Sequence, residues 1–477
     1  MRNNKGKHTY KYDCRKSFKI NDMQSAVNSG IIYKATLVAS VGGLLFGYDT
    51  AVISGAIGFM RSFYQLSDIM TGWVASCALL GCIAGAMYSG KLSDRSGRKN
   101  VLMLSAVLFT ISSIGTAMAP NLWFFVLFRI IGGMGIGIAS MLSPMYISEM
   151  APASVRGRLI SVFQLGIVTG ILVIYFVNAY IAGIHNEAWN ISTGWRWMFG
   201  SGIIPSVIFI LLLLTVPESP RWLASQKKQF EALVILSQIN GSTAAQQELD
   251  SINESLKDEV PFSLASLKGS KLKKALITGI LLAVFSQFTG INAIMYYAPE
   301  IFKSTGTGTD SAFIQTVLVG VINVAFTLIA IKYVDSWGRK KLLLSGISGM
   351  TICLCIIGLA FYTQQQGYLV LIAILGYIAF FAMSLGPLTF VVIAEIFPTK
   401  SRATAMSITT FFLWLAVFLV SQTFPILIGS IGSAYTFWLY TLISVLAFLF
   451  IRKCIPETKG KTLEEIEASW NLKEENN

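Results

Sequence analysis

Two charged side chains sit inside otherwise apolar runs of this chain. Asp49 lies in the glycine-studded stretch 42–55, and Arg129 in the stretch 122–147. On the insertion scale such a charge at bilayer depth costs roughly 2.5–3.5 kcal/mol. A buried carboxylate alone would take up a proton, whereas a buried guanidinium would stay charged and strain its surroundings. Paired, each answers the other. Two readings follow: a static ion pair that holds helices together, or a functional site that faces a water-filled cavity. Gln164, Gln287, Asn292 and Asn323 also interrupt apolar runs. Their amides offer both donors and acceptors, which suits helix–helix glue or the binding of a hydroxylated guest. Tyr296 stands four residues after Asn292, on the same helical face.

Other chemistries lack their parts. The only histidines, His8 and His185, lie outside the apolar runs, so no intramembrane nucleophile–base pair or metal cluster is legible. No Gly-x-x-x-x-Gly-Lys-Ser/Thr run is present, which argues against ATP-driven pumping by this chain alone. Of the six cysteines, Cys77, Cys82, Cys353 and Cys355 fall in apolar runs and Cys14 and Cys454 in the tails, a pattern unlike a disulfide framework or a metal site.

The elements that must hold these residues are membrane spans. Of the 477 residues, 54% are hydrophobic and 13% charged, against about 25% charged in soluble domains. Runs of about 20 apolar residues predict twelve helices, near 34–58, 69–90, 101–120, 122–147, 159–183, 197–216, 275–299, 311–331, 342–363, 368–394, 403–427 and 432–451. With the N-terminus inside, 33 of the 37 lysines and arginines fall on the inner side and only Arg61, Arg196 and Lys303 outside. Both ends are therefore expected in the cytoplasm. The net charge of +13 is then explained by topology and contact with anionic lipid, not by nucleic-acid binding. The expected organisation is a tail (1–33), a six-helix half (34–216), a linker with short amphipathic helices (217–274), a second half (275–453) and a tail (454–477) with a further helix near Leu463-Glu464-Glu465-Ile466-Glu467. No signal peptide is legible in the polar, basic first 30 residues. A bacterial inner membrane suits the compact loops, and one chain holding both halves suits a monomer.

The halves echo each other. Asp94-Arg95-Ser96-Gly97-Arg98-Lys99 follows the second span, and Asp335-Ser336-Trp337-Gly338-Arg339-Lys340 the eighth. Glu149 and Arg156 follow the fourth span; Glu395 and Arg402 follow the tenth. Pro217-Glu218-Ser219 ends the sixth span, and Pro456-Glu457-Thr458 follows the twelfth. Three motifs recurring in order imply two halves of like topology, related by an axis along the membrane normal. The arginines are expected to reach carboxylates such as Glu149 and Glu395 and so to lock the two halves together in one state and release them in another.

These motifs, together with Gly47-Tyr48-Asp49, Pro144-Met145-Tyr146-Ile147-Ser148-Glu149, Arg156-Gly157-Arg158, Pro217-Glu218-Ser219-Pro220-Arg221-Trp222, Gly290-Ile291-Asn292 and Pro456-Glu457-Thr458-Lys459-Gly460, resemble the sugar porter family of the major facilitator superfamily over nearly the whole chain. The resemblance implies an all-α membrane protein of the major facilitator fold with a monosaccharide site between the halves, a pentose or hexose reached alternately from each side. It assigns sugar contact to Gln164, Gln287, Asn292, Tyr296 and Trp414, with Phe46 and Asn323 nearby. It assigns proton coupling to Asp49, tuned by Arg129, so the coupling ion is a proton and no cofactor is expected. Asp94, Arg98, Glu149, Arg156, Glu218, Asp335, Arg339, Glu395, Arg402 and Glu457 carry the conformational motifs. Pocket positions depart from the family pattern: Ser286 replaces a glutamine, Phe390 a tryptophan and Leu413 a glutamine or asparagine, while Ile171 is apolar as in glucose carriers. A proton–polyol carrier, for example for inositol, and a facilitator are the neighbouring alternatives.

Overall fold

The computed structural model describes residues 29–152, 155–257, 270–365, 367–397, 402–457 and 459. The described residues are nearly all helical. The first five crossings are single helices: α1 (Ser29–Tyr64), α2 (Asp68–Ser96), α3 (Arg98–Ala117), α4 (Leu122–Met150) and α5 (Arg156–Ala182). The sixth is assembled from α6 (Glu187–Trp189), a π turn (Asn190–Gly194), α7 (Trp195–Gly200) and α8 (Ile203–Leu214). Three short helices follow, α9 (Pro220–Ser225), α10 (Gln229–Asn240) and α11 (Ser242–Lys257), with a small core of their own around Leu223, Ala232, Leu236 and Leu249. These are the amphipathic helices expected of the linker; the tail helix expected near Leu463 lies outside the described residues.

The second half begins with α12 (Ser270–Phe288) and α13 (Ile291–Lys303), which together make one crossing. Next come α14 (Thr309–Trp337), α15 (Arg339–Tyr362), the pair α16 (Tyr368–Met383) and α17 (Leu385–Ile396), and α18 (Arg402–Cys454). Among the described residues, eleven stretches are long and apolar enough to span a bilayer, and the last runs for 50 residues. At 1.5 Å per residue that is about 75 Å, more than twice the thickness of a hydrocarbon core. Gly432, at φ 82° and ψ 164°, leaves the helical region and divides α18 into two crossings, which makes twelve. The break between the expected runs 403–427 and 432–451 is thus at Gly432, and Pro425 stays inside the helix.

Lipid gives helices no hydrophobic reason to associate, so close packing must do it. In the first half the packing runs through glycines four apart. Beta carbons on Gly43 and Gly47 of α1 would run into the carbonyls of Phe163 and Ile167 on α5, and ones on Gly166 and Gly170 of α5 into those of Ser40 and Leu44 on α1. The same exchange joins α2 and α4: Gly81 and Gly85 meet Ile130 and Met134, while Gly133 and Gly137 meet Ala78 and Cys82. Four Gly-x-x-x-Gly pairs therefore set the positions of α1 and α4, the helices that carry Asp49 and Arg129.

The sequence echo has a physical counterpart at the basic end of the bundle. Gly97 (φ 93°, ψ 157°) and Gly338 (φ 86°, ψ 148°) both take a conformation essentially reserved for glycine. Each turn exposes backbone N–H groups to a carboxylate from the end of its own half. Glu218 accepts from the N–H groups of Arg98 (2.9 Å) and Lys99 (3.1 Å); Glu457 accepts from those of Arg339 (3.0 Å) and Lys340 (3.2 Å). Burial raises the Glu218 carboxyl above its ordinary pKa, and the N–H groups of Ser219, Lys99 and Arg98 oppose that rise. Arg98 then grips Glu149 through Nε (3.1 Å) and Nη2 (3.1 Å), and touches Asp94 through Nη1 (3.1 Å). Arg339 reaches Glu395 at 3.2 Å.

These pairs correct one expectation. Arg98–Glu149 lies within the first half and Arg339–Glu395 within the second, so they fasten α3 to α4 and α15 to α17 and do not bridge the halves. Arg156 donates to the Ala151 carbonyl at 3.4 Å. The side chains of Asp335 and Arg402 lie outside the described residues. The halves instead meet at the opposite end, where α2 packs on α18, α5 on α14 and α1 on α13. There Ser76 donates to Gln422 (2.9 Å), Gln422 to the Ile69 carbonyl (3.0 Å) and Tyr175 to the Met295 carbonyl (2.8 Å).

Gly97→Ala is expected to cost about 1–3 kcal/mol, because a side chain at that φ is strained and its Cβ would meet Glu218. Thermal unfolding of the detergent-solubilised protein should show a lowered midpoint. Gly157→Ala, where the added carbon meets nothing within 4 Å, should leave the midpoint unchanged or slightly raised.

Candidate functional site

Asp49 and Arg129 do pair. Arg129 Nη1 donates to Asp49 Oδ2 at 2.8 Å, and Nη2 to the Asp49 backbone carbonyl at 3.3 Å. Relative exposures of 8% for Asp49 and 2% for Arg129 place the pair inside the protein and away from lipid. The guanidinium also lies 5.4 Å from the Phe199 ring centroid, a cation–π contact that offsets part of its desolvation. The grip is not the two-pronged fork of a strong structural pair. Among the described residues Oδ1 takes no hydrogen bond, so one face of the carboxylate is free for a proton.

Two of the four amides, Gln287 and Asn292, meet at the break in the seventh crossing. Gly290, left-handed at φ 92° and ψ 14°, ends α12 and starts α13, and Tyr440 packs where its side chain would be. The break sets Gln287 and Asn292 beside each other. Asn292 Nδ2 donates to Gln287 Oε1 (2.7 Å), Gln287 Nε2 donates to Ser286 Oγ (3.0 Å), and Ser286 Oγ donates to the Ala283 carbonyl (2.7 Å). The serine that departs from the family pattern thus fixes which way the Gln287 amide points. One N–H of Gln287, and the Oδ1 and second N–H of Asn292, are left for a guest. Tyr377 donates to the Thr289 carbonyl at 3.0 Å, satisfying backbone that the break releases.

The other expected contacts come together in part. Phe46 on α1 and Trp414 on α18 face each other across the halves, ring centroids 5.6 Å apart. Tyr296, one turn after Asn292, is buried on α13 and makes no described hydrogen bond to the amides or to the ion pair. Ile171 packs beside Gly47, two residues before Asp49. Gln164 is half-buried on α5, Asn323 is buried on α14, and Phe390 is 44% exposed on α17; none of the three makes a described hydrogen bond or ring contact with the cluster. Leu413 is buried next to Trp414.

Some contributors were not singled out in the sequence. Tyr48 donates to Ser201 (2.7 Å), whose own hydroxyl donates to the Met198 carbonyl (2.6 Å), and this fixes the residue next to Asp49. Ser112, on α3 near the Asp49 carboxylate, keeps a buried hydroxyl without a partner. A serine in an apolar span carries little signal, because it can satisfy itself on its own helix. The glycine pairs were visible as spacing alone.

Comparison with known proteins agrees with this geometry. Residues 35–470 match the family described as "Sugar (and other) transporter". The chain is 49% identical over 442 residues to the arabinose-proton symporter of Bacillus subtilis (strain 168), which covers 92% of this chain and 95% of that one. It is 44% identical over 485 residues to the D-xylose-proton symporter of Escherichia coli (strain K12), covering 94% and 97%. Its structure matches a partially occluded inward open conformation of the xylose transporter XylE from E. coli with a TM-score of 0.82 and 43% identity, over 91% of this chain and 100% of that one. An ion pair inside one half, an amide cluster at a broken helix of the other and a duplicated turn motif thus stand in a chain that belongs to the sugar transporter family, within the major facilitator superfamily.

Proposed function

We propose that this protein is a secondary active transporter that carries a monosaccharide, a pentose such as arabinose or xylose or a hexose, together with a proton. The observation that carries this reading is the buried Asp49–Arg129 pair, gripped at one carboxylate oxygen, in a bundle whose other half holds the Gln287–Asn292 amide cluster. In the outward-open state Asp49 takes a proton. Neutral, it holds Arg129 less tightly, since the charge–charge attraction is gone. Sugar binds to Gln287 and Asn292, with Gln164, Asn323, Ile171 and Phe390 around it and Phe46 and Trp414 as its aromatic walls, and favours closure. Once the site opens inward, sugar leaves, and Arg129 favours release of the proton. The proton is the coupling ion, and the sugar is the substrate; the chain acts without a cofactor.

The same reading places the basic end of the bundle and both termini in the cytoplasm, in a bacterial inner membrane, with a monomer as the working unit. The halves then meet at the outer end and stand apart at the inner end, an inward-facing arrangement. Arg98–Glu149 and Arg339–Glu395 keep each half rigid as it rocks, and Glu218 and Glu457 clamp the turns. A facilitator remains the second reading, favoured by the apolar Ile171 and distinguished by the test on Asp49.

Three outcomes are expected in proteoliposomes. Asp49→Asn abolishes sugar accumulation driven by a pH gradient while counterflow of labelled sugar survives, because exchange needs no net proton movement; unchanged accumulation would remove Asp49 from the coupling role. Gln287→Ala deprives Asn292 of its acceptor and the guest of a donor, so KM for counterflow rises about tenfold, the equivalent of ~1.4 kcal/mol. Gly72→Val pushes a side chain into the Gln422 carbonyl across the outer seam, so the outer end cannot close and counterflow falls at least tenfold while sugar binding from the outside persists.

A further inference from the structure

Behind Asp49, within the first half, lies a small cavity with about 10 Å³ open to the centre of a water molecule. About 10–15 Å³ measured this way holds one water. Its polar wall is Asp49, Tyr48, Ser113 and Ser206, and Phe109 and Phe199 close it with carbon. Every wall residue belongs to α1, α3, α7, α8 or the turn between α7 and α8. None comes from the second half, and none is an amide of the cluster or either ring of the Phe46–Trp414 pair. One helical face of α1, carrying Leu45, Tyr48, Asp49 and Val52, looks into this space.

A water here needs two to four polar partners, and the wall provides them. Ser206 spends its hydrogen on the Gly202 carbonyl (2.6 Å), so its oxygen is left to accept. The Ser113 hydroxyl makes no described hydrogen bond and lies where a side chain on Gly202 would be. Asp49 has Oδ1 unpartnered, because Arg129 holds Oδ2. We propose that this cavity is a single-water site through which Asp49 Oδ1 gains and loses its proton inside the first half, apart from the sugar cleft.

The step balances as a relay. The water passes one of its protons to Oδ1 and is itself re-protonated by hydronium from bulk water, the donor that the pH gradient supplies. It ends as water, with Asp49 a neutral acid and Arg129 left as an uncompensated cation. Release runs the same exchange backwards. The titratable and charged groups that face the carboxylate from the surrounding helices are Tyr48 on α1, Cys77 and Cys82 on α2, Arg129 on α4 and Tyr296 on α13. Of these Arg129 alone is a permanent charge. The α3, α7 and α8 side chains at the cavity are hydroxyls and phenyl rings, which bring water to the carboxylate without adding charge. A relay of this kind lets the proton move while sugar occupies the cleft, because no wall of the cavity belongs to the amide cluster.

The inference rests on the symport reading, and the test separates the two. In proteoliposomes, Ser113→Val fills the cavity with carbon and Ser113→Ala leaves room for the water. The readout is pH-gradient-driven sugar uptake divided by sugar counterflow, each relative to the unmodified protein. Ser113→Val is expected to lower this ratio at least fivefold, and Ser113→Ala to keep it within twofold. A smaller fall with Ser113→Val, a parallel loss of uptake and counterflow, or an equal fall with Ser113→Ala would overturn the water site while leaving symport intact. Absence of any sugar counterflow by the unmodified protein would instead overturn the symport reading on which the site depends.

Discussion

The constraint on which this structure depends is the burial of one carboxylate and one guanidinium together in a single half of the bundle. Alone, either charge would cost several kcal/mol inside the membrane. Together they are tolerable, provided α1 and α4 hold them within hydrogen-bond reach. The four glycine pairs seat α1 on α5 and α4 on α2 by letting backbones touch. The pair is held at one oxygen only, which makes it a weaker fastener than a two-pronged bridge and a better switch. Adding one proton to the free oxygen removes the negative charge and changes what Arg129 is attracted to.

The two halves divide the work. The first is stiffly packed through glycine and holds the charge. The second is broken at Gly290, Ser384 and Gly432, and holds the amides at the first of these breaks. A broken helix frees backbone groups, and at membrane depth that is tolerable only where protein or a water-lined cavity receives them. Here the Tyr377 hydroxyl receives the Thr289 carbonyl. Tyr296, one turn from Asn292, is buried in the same half. The turn motifs at the basic end play a different part. With each arginine bonded to a carboxylate of its own half, they fasten α3 to α4 and α15 to α17 and do not tie one half to the other.

Much of this was legible in the residues. Apolar run lengths and the distribution of lysine and arginine gave the spans, and the repeated motifs gave the two halves. Asp49 and Arg129 were conspicuous because charge is rare in such runs. Other features were hidden for physical reasons. That Arg98 and Arg339 bond within their halves depends on which helix end lies beside the turn, and distance along the chain does not reveal it. The break at Ser384 has no proline or glycine at its own position. The polar wall behind Asp49 consists of serines, which are common in spans and usually bond to their own helix. The role of Ser286 was obscured because a shorter side chain reads as a lost contact, whereas the structure keeps it as the partner that orients Gln287.

The central claim is that the Asp49 carboxylate carries one proton for each sugar and that Arg129 governs its release. It is tested most directly by adding sugar to proteoliposomes held without any imposed gradient and recording the external pH. The account predicts a transient alkalinisation in step with labelled sugar entry, absent for Asp49→Asn. Sugar entry with no pH change in the unmodified protein, or an undiminished pH change in Asp49→Asn, would contradict it.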